Sequence, residues 1–138
     1  MSGGQIQTYG SGGIIRGEFV QNSNILFLAY LLKDSGDVLT SADVQGFVRV
    51  QVYQRSGETP ETALIDDTTT YPATSAVTAL SLTGWTRGSV GANFNLSFLS
   101  TRFTQQGGMD YRFKFTITLL TNSSITVIYD LFCRSAGA

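Results

Sequence analysis

The chain has 138 residues, a length at which a single domain can bury a substantial core. Charged residues make up 14% of it, well below the share of about a quarter that is usual in globular domains. The net charge of −1 excludes a domain that binds nucleic acid through an overall basic excess. With no histidine and a single cysteine, the chain also lacks Ser-His-Asp and Cys-His catalysis, histidine or thiolate zinc sites, and an internal disulfide.

The first 13 residues form a glycine-rich segment with the sequence MSGGQIQTYGSGG. Such a polar segment buries too little surface to offset the entropy cost of ordering, so a flexible N-terminal arm is predicted over residues 1–13. An alternative is that the arm becomes ordered on a neighbouring subunit, with Ile6 and Tyr9 as its anchors. The rest of the chain is predicted to be a single β-sandwich domain over residues 14–135, followed by a C-terminal tail at 136–138.

From residue 14 onward, apolar and polar residues alternate in short segments that are separated by turn-forming residues. Alternation with a period of two is typical of strands that have one buried and one exposed face. Residues 24–33 are apolar on both sides, which indicates a central strand, with a buried helix as the alternative. In chain order, strands are predicted at 14–20, 24–33, 44–53, 62–66, 76–83, 90–99, 111–121 and 124–133.

The clearest strand begins at Tyr111, where large apolar residues alternate with charged or hydroxyl residues. A two-residue polar connection, Asn122-Ser123, leads into the next strand and predicts an antiparallel hairpin. Tyr111 follows a glycine turn, so its hydroxyl is expected either at a corner where the chain crosses between sheets or at the rim of the core. Seven to nine strands without an amphipathic helix predict an all-β fold, an antiparallel β-sandwich of the immunoglobulin-like or jelly-roll-like kind.

No arrangement of residues indicates an enzyme. Asp66 and Asp67 are adjacent, so they would point to opposite faces of a strand and do not form the carboxylate pair of a glycosidase. Asp34 and Asp37 supply too few oxygens for calcium, and an ordinary turn is the better interpretation. Cys133 is in register with apolar neighbours and is predicted to be a buried, unreactive thiol. We therefore expect no catalytic residues, no cofactor and no metal.

Trp85 is the first candidate binding residue, because it lies in a polar, turn-rich loop beside Arg87. One interpretation is that Trp85 caps an open end of the sandwich. The other is that Trp85 and Arg87 anchor a protein partner, since both residue types are enriched among the interface residues that dominate binding. Tyr71 belongs to the same candidate set, together with Ile6 and Tyr9 of the N-terminal arm.

Three passages resemble the small β-sandwich proteins found on the heads, necks and tails of tailed phages. They are the glycine-rich start, residues 36–44 (GDVLTSADV) and residues 107–113 (GGMDYRF). The resemblance covers about residues 17–135 and implies a non-enzymatic virion protein, foremost a capsid decoration or cement protein. Its expected partners are the major capsid protein or other virion proteins, and it is expected to form a homo-oligomer, such as a trimer at three-fold points of the lattice. No nucleic acid and no membrane are expected as partners.

The N-terminus lacks a basic region followed by an apolar run, so no secretory signal is predicted. The longest apolar run, residues 25–32, is too short for a transmembrane helix. We expect synthesis in a host cytoplasm and localisation in the virion. A neck or tail component of the same kind of particle is one alternative. Another is a carbohydrate- or cell-surface-binding module, whose aromatic and amide groups would come from Trp85, Tyr71, Tyr53 and Asn93.

Overall fold

The computed structural model describes residues 5–9, 14–55, 62–85 and 89–136. These residues form nine strands, one short helix, and two single turns of 3-10 helix at Ser41–Asp43 and Ser100–Arg102. The helix, α1, spans Ala73–Ala76. The strands are β1 (Gln5–Tyr9), β2 (Ile14–Val20), β3 (Ile25–Tyr30), β4 (Val44–Arg55), β5 (Thr62–Asp67), β6 (Val77–Ser81), β7 (Ala92–Phe98), β8 (Met109–Leu119) and β9 (Ser124–Arg134).

The strands form two sheets that enclose one main core. The four-stranded sheet has the order β1-β3-β7-β6, and the five-stranded sheet has the order β2-β9-β8-β4-β5. The pairs β1–β3 and β2–β9 are parallel, and the other pairs are antiparallel. The predicted all-β sandwich is confirmed. The order β3-β7-β6 opposite β9-β8-β4-β5 is also that of strands B-E-D and G-F-C-C′ in immunoglobulin-like sandwiches.

The core between the sheets is dominated by aromatic rings. On β8, Phe113 and Phe115 are fully buried, as the period-two pattern predicts. From the opposite sheet, the ring of Phe27 lies 4.8 Å from that of Phe115, and the ring of Phe98 lies 5.4 Å from that of Phe113, measured between centroids. Each buried ring contributes about 1.5–3 kcal/mol through the hydrophobic effect, and such edge-on contacts add to it. Ring packing across the sandwich therefore holds the two sheets together.

Predictions about the last two strands are confirmed. β8 and β9 pair as an antiparallel hairpin, whose turn places Asn122 at φ 67°, a left-handed conformation that asparagine tolerates. Tyr111 is fully buried, and its hydroxyl oxygen accepts a hydrogen bond from the backbone N–H of Gln106 at 2.9 Å, the bond expected at a corner between sheets. Cys133 is buried, and burial raises the pKa of its thiol.

The N-terminal segment differs from the prediction of a flexible arm over residues 1–13. Gln5–Tyr9 form β1, which pairs in parallel with β3 over all five residues. The physical reason is that the edge of β3 presents backbone N–H and C=O groups, which an extended segment can pair with whatever its side chains are. Composition alone does not reveal such pairing. Residues 1–4 and 10–13 lie outside the described residues.

Candidate partner-binding face

The outward side chains of the five-stranded sheet bring residues from four strands into one row. Tyr53 of β4 lies opposite Arg112 of β8, and Arg112 lies opposite Asp130 of β9. Asp130 in turn lies opposite Arg16 of β2. These side chains point away from the core because their sequence neighbours point into it. We call this outward surface the arginine face; its charged members are Arg16, Glu18, Arg49, Arg55, Asp66, Asp110, Arg112, Lys114, Asp130 and Arg134.

Asp130 is the centre of the arginine face. Its carboxylate accepts hydrogen bonds from Arg112 Nε at 2.8 Å and Nη2 at 3.0 Å, and from Arg55 Nη1 at 3.0 Å. Arg16 Nη1 lies 3.9 Å from the same carboxylate. Burial by itself would raise the pKa of Asp130, but the hydrogen bonds from Arg112 and the positive charges of the three arginines lower it. One ionised carboxylate therefore holds the guanidinium groups of Arg112 and Arg55 on the sheet surface by hydrogen bonds, and attracts that of Arg16 from 3.9 Å.

The arginine face is positively charged, although the chain as a whole is negative. Its six basic and four acidic side chains give it a net charge of +2, compared with −1 for the whole chain. Arg49 and Asp66 form a more exposed pair on the same face, at 2.7 Å. Ile14 and Phe132 add apolar surface that is 41% and 40% exposed. The combination of arginine with exposed aromatic and aliphatic groups is typical of protein interfaces.

Sequence analysis did not identify the arginine face. Its members lie on five strands from the beginning, middle and end of the chain, so only the pairing of the strands brings them together. One signal was present in the sequence: Asp130 interrupts an apolar run near the C-terminus, IYDLF. A lone acid among residues of the buried type indicates a carboxylate that has charged or hydrogen-bonding partners.

Trp85 lies on the outer side of the four-stranded sheet and is 7% exposed. It packs with Leu28 and Ala92, and Leu26 and Tyr30 are partly buried against the same cluster. Because Leu28 alternates along β3 with residues of the main core, this cluster lies on the opposite side of the sheet. Trp85 therefore covers a face of the sheet rather than an open end of the sandwich. Its role as a partner anchor stays a prediction.

The other candidate binding residues lie elsewhere. Arg87 is outside the described residues, and Ile6 and Tyr9 are on β1, where the description does not extend to their side chains. Tyr71 is partly buried against the main core, whereas Trp85 belongs to the separate cluster on the outer side of the sheet. The structure thus does not bring Tyr71 and Trp85 into one hydrophobic cluster.

The loop that carries Tyr71 is held in place by Asp67. The Asp67 carboxylate accepts hydrogen bonds from the Thr70 hydroxyl, from the Thr69 backbone N–H at 2.7 Å, and from the Arg102 guanidinium. These bonds hold the pKa of Asp67 well below its usual range. The guanidinium of Arg102 also lies over the ring of Tyr71, 5.5 Å from its centroid. The position of Tyr71 is therefore fixed by ionic and aromatic contacts.

The four residues proposed for a carbohydrate site do not form one. Asn93 is 1% exposed. Its side-chain oxygen accepts a hydrogen bond from the N–H of Leu31 at 2.7 Å, and its amide donates to the carbonyls of Leu31 and Leu39 at 2.9 and 2.7 Å. Tyr53 lies on the arginine face, on the other sheet from Trp85. Asn93 is thus a structural residue that binds the chain between β3 and β4.

Comparison with known proteins assigns no family to the chain. No protein-family model matches it, and no curated protein is similar to it. Within the described ranges, no three acidic or cysteine side chains lie close enough together to hold a metal ion. No helix formed by these residues is long and apolar enough to cross a membrane. Function is therefore inferred from the fold and its surfaces.

Proposed function

We propose that the chain is a non-enzymatic structural protein of a virion, foremost a decoration protein that binds the assembled capsid and stabilises it. The observation that carries this proposal is the arginine face, where Asp130 binds Arg55 and Arg112 through hydrogen bonds and has Arg16 within 3.9 Å. Arginine and aromatic residues are enriched in protein interfaces. Side chains that are already ordered lose less entropy on binding, which favours such a face as the contact surface. The resemblance to small phage β-sandwich proteins supports a virion as the setting.

The size of the arginine face favours attachment by several copies together. Neighbouring strands are about 4.8 Å apart, so the five strands that carry its charged residues span about 19 Å. Strands of 11 residues are about 36 Å long, so the face covers about 700 Å² at most. A stable one-to-one interface buries roughly 800 Å² per partner, which is more than this face supplies alone. A homo-oligomer that engages several faces on the capsid lattice would gain affinity through effective concentration. Because the protein would bind only the assembled state, it would stabilise the shell by mass action.

The direct test uses particles of the virus whose genome encodes the chain, prepared without it. Purified protein is added, attachment is measured by sedimentation, and shell rupture is followed on heating with a nucleic-acid dye. We expect saturable attachment of many copies and a higher rupture temperature. Absence of attachment contradicts the proposal, and attachment of a few copies at a single site assigns the chain to the neck or tail instead.

A charge-reversal variant tests whether the arginine face makes the contact. Arg16 is the most exposed of the three arginines, with 75% of its side chain accessible, so Arg16→Glu should weaken attachment without unfolding the protein. The control is Lys33→Glu, which changes a basic residue outside the arginine face. Equal attachment of the two variants would place the contact elsewhere on the chain.

Deletion of residues 1–13 tests the N-terminal segment. The deletion removes β1 together with Ile6 and Tyr9, and leaves strands β2 to β9 in place. We expect a folded sandwich that attaches more weakly. Undiminished attachment would show that Ile6 and Tyr9 are not partner anchors.

A further inference from the structure

A groove with a volume of about 300 Å³ lies between the segment that contains α1 and strand β7. This is at the lower end of the range of about 300–1,000 Å³ for small-molecule sites. The groove exists because β6 begins to pair with β7 only at Phe94, so that α1 rather than a strand flanks β7 beyond that residue. The residues that line the groove include Tyr71, Pro72, Ser75, Asn95 and Ser97.

The polar side chains of the groove have hydrogen-bonding capacity to offer a ligand. Asn95 and Ser97 are exposed, because the residues that alternate with them on β7 point into the core. Ser75 is exposed on α1. None of these three side chains makes a hydrogen bond to another described residue. One amide and two hydroxyls thus present both donors and acceptors.

The groove is electrically neutral. None of the described residues that line it is charged. Asp67 and Arg102 are the charged groups nearest to Tyr71, and they form an ion pair with each other. A phosphate, sulfate or carboxylate group would therefore lose its hydration here without gaining an ionic partner, whereas an uncharged polar ligand avoids that cost.

We propose that this groove binds a short neutral saccharide. A sugar ring carries hydroxyl groups around its rim and C–H groups on its faces. The rim matches the hydrogen-bonding groups of Ser75, Asn95 and Ser97, and the faces match the apolar surfaces of Tyr71 and Pro72. The sandwich therefore has a second binding site, on the sheet opposite the arginine face.

An extended peptide fits this groove less well than a saccharide. Strand addition needs a continuous row of unpaired backbone groups along a sheet edge. β7 pairs with β3 along one edge and with β6 up to Phe94 along the other, so only the last few residues of β7 are uncovered. A stretch of this length does not hold an added strand, whereas it is long enough for a sugar unit.

The test applies the purified full-length chain to an array of immobilised neutral and acidic oligosaccharides, and titrates the strongest neutral one by calorimetry. Binding of neutral saccharides is expected. Asn95→Ala should weaken it about tenfold, because the variant removes hydrogen bonds to the ligand, and Ser97→Ala should weaken it less. Ser124→Ala is the matched control, an exposed serine on the other sheet, and should bind like the original chain. All three variants should keep their melting temperature.

Binding of acidic saccharides alone, or no binding, overturns the proposal. Equal affinities of the Asn95→Ala and Ser124→Ala chains overturn it as well. Arg16→Glu separates this site from shell attachment, since that variant should attach poorly to particles and still bind the saccharide. The proposals of saccharide binding and of particle attachment can therefore fail independently of each other.

Discussion

The two outer faces of the sandwich differ in chemistry, although the same alternating pattern produces both. The arginine face is charged and is organised around the carboxylate of Asp130. Among the described residues, the outward side chains of the four-stranded sheet are uncharged: Trp85 covers part of this side, and Asn95 and Ser97 line a groove in another part. The comparison shows that alternation determines which side chains face outward, while strand register determines which of them meet.

The difference between the faces follows from strand length. β4, β8 and β9 have 12, 11 and 11 residues, so they pair over long continuous stretches and align several charged side chains in one row. The strands of the other sheet have five to seven residues. The segment after β6 places Trp85 against the outer side of the short-stranded sheet, and α1 lies at its edge, beside β7 and β4. The long-stranded sheet thus presents a row of charged side chains, and the short-stranded one presents a covered surface and a groove.

The largest effect on the free energy of unfolding is expected at Asn93, whose side chain binds the segment between β3 and β4 to β7. Asn93→Ala leaves two buried backbone groups, the N–H of Leu31 and the carbonyl of Leu39, without this partner, while the Leu31 carbonyl still accepts from the N–H of Leu39 at 3.1 Å. Since each buried group left without a partner costs about 1–3 kcal/mol, the free energy of unfolding should fall by about 4 kcal/mol in urea denaturation. Asn95→Ala, two residues further along β7 but exposed, is the control and should unfold like the original chain. Similar values for the two variants would show that the buried amide is dispensable.

Trp85→Ala tests whether the packing of Trp85 on the four-stranded sheet stabilises the fold. Because Trp85 is 7% exposed and packs on Leu28, its truncation should lower the free energy of unfolding by about 3 kcal/mol, with a clear drop in melting temperature. Particle attachment is measured in parallel. An unchanged melting temperature together with lost attachment would instead identify Trp85 as a partner anchor.

Asp130→Asn tests the ion pairs at the centre of the arginine face. The change removes the charge that pairs with three guanidinium groups but keeps the shape of the side chain. We expect a loss of about 2 kcal/mol in the free energy of unfolding, less than for a fully buried pair because the arginines are partly exposed. Asp66→Asn is the matched control, since its partner Arg49 is solvent-accessible, and should have no measurable effect. A silent Asp130→Asn variant would mean that the arginines do not depend on this carboxylate for their order.

The smallest effect on the free energy of unfolding is expected from acidification, which protonates Asp67 and Asp130. The pKa of Asp67 is lowered chiefly by the hydrogen bond from Thr70, and for Asp130 the arginines outweigh the opposing effect of burial. A carboxyl group whose folded pKa lies below its unfolded value of about 3.9 binds fewer protons in the folded state. Its stabilisation is present above about pH 4 and is lost as the pH falls through the folded pKa.

The free energy of unfolding, and with it the urea midpoint, should therefore decrease between about pH 7 and about pH 3. The decrease should be on the order of 1 kcal/mol per carboxyl group after allowance for solvent screening. Asp67→Asn should reduce this pH dependence, because the amide has no proton to bind in this range. A midpoint that rises on acidification would contradict the direction of both shifts.

Local patterns predicted most of the strands. The alternation after Tyr111 identified β8, and the connection Asn122-Ser123 identified the turn into β9. The edge strand expected at 62–66 is β5. The strand β1 escaped prediction because its pairing depends on the backbone of β3 rather than on its own side chains. Asn93 also escaped, since an asparagine in a strand carries no sign of the three backbone groups that it will bind.

The amino-acid sequence by itself determined that the chain is all-β and, for the strands that alternate, which side chains face inward, since both follow from the two-residue repeat of an extended backbone. Only the tertiary structure decided that Arg16, Arg112 and Asp130 meet, and that a neutral groove opens where β6 stops pairing with β7. The reason is that alternation is a property of neighbouring residues. Register between strands that are remote in the chain is set by how the whole core packs.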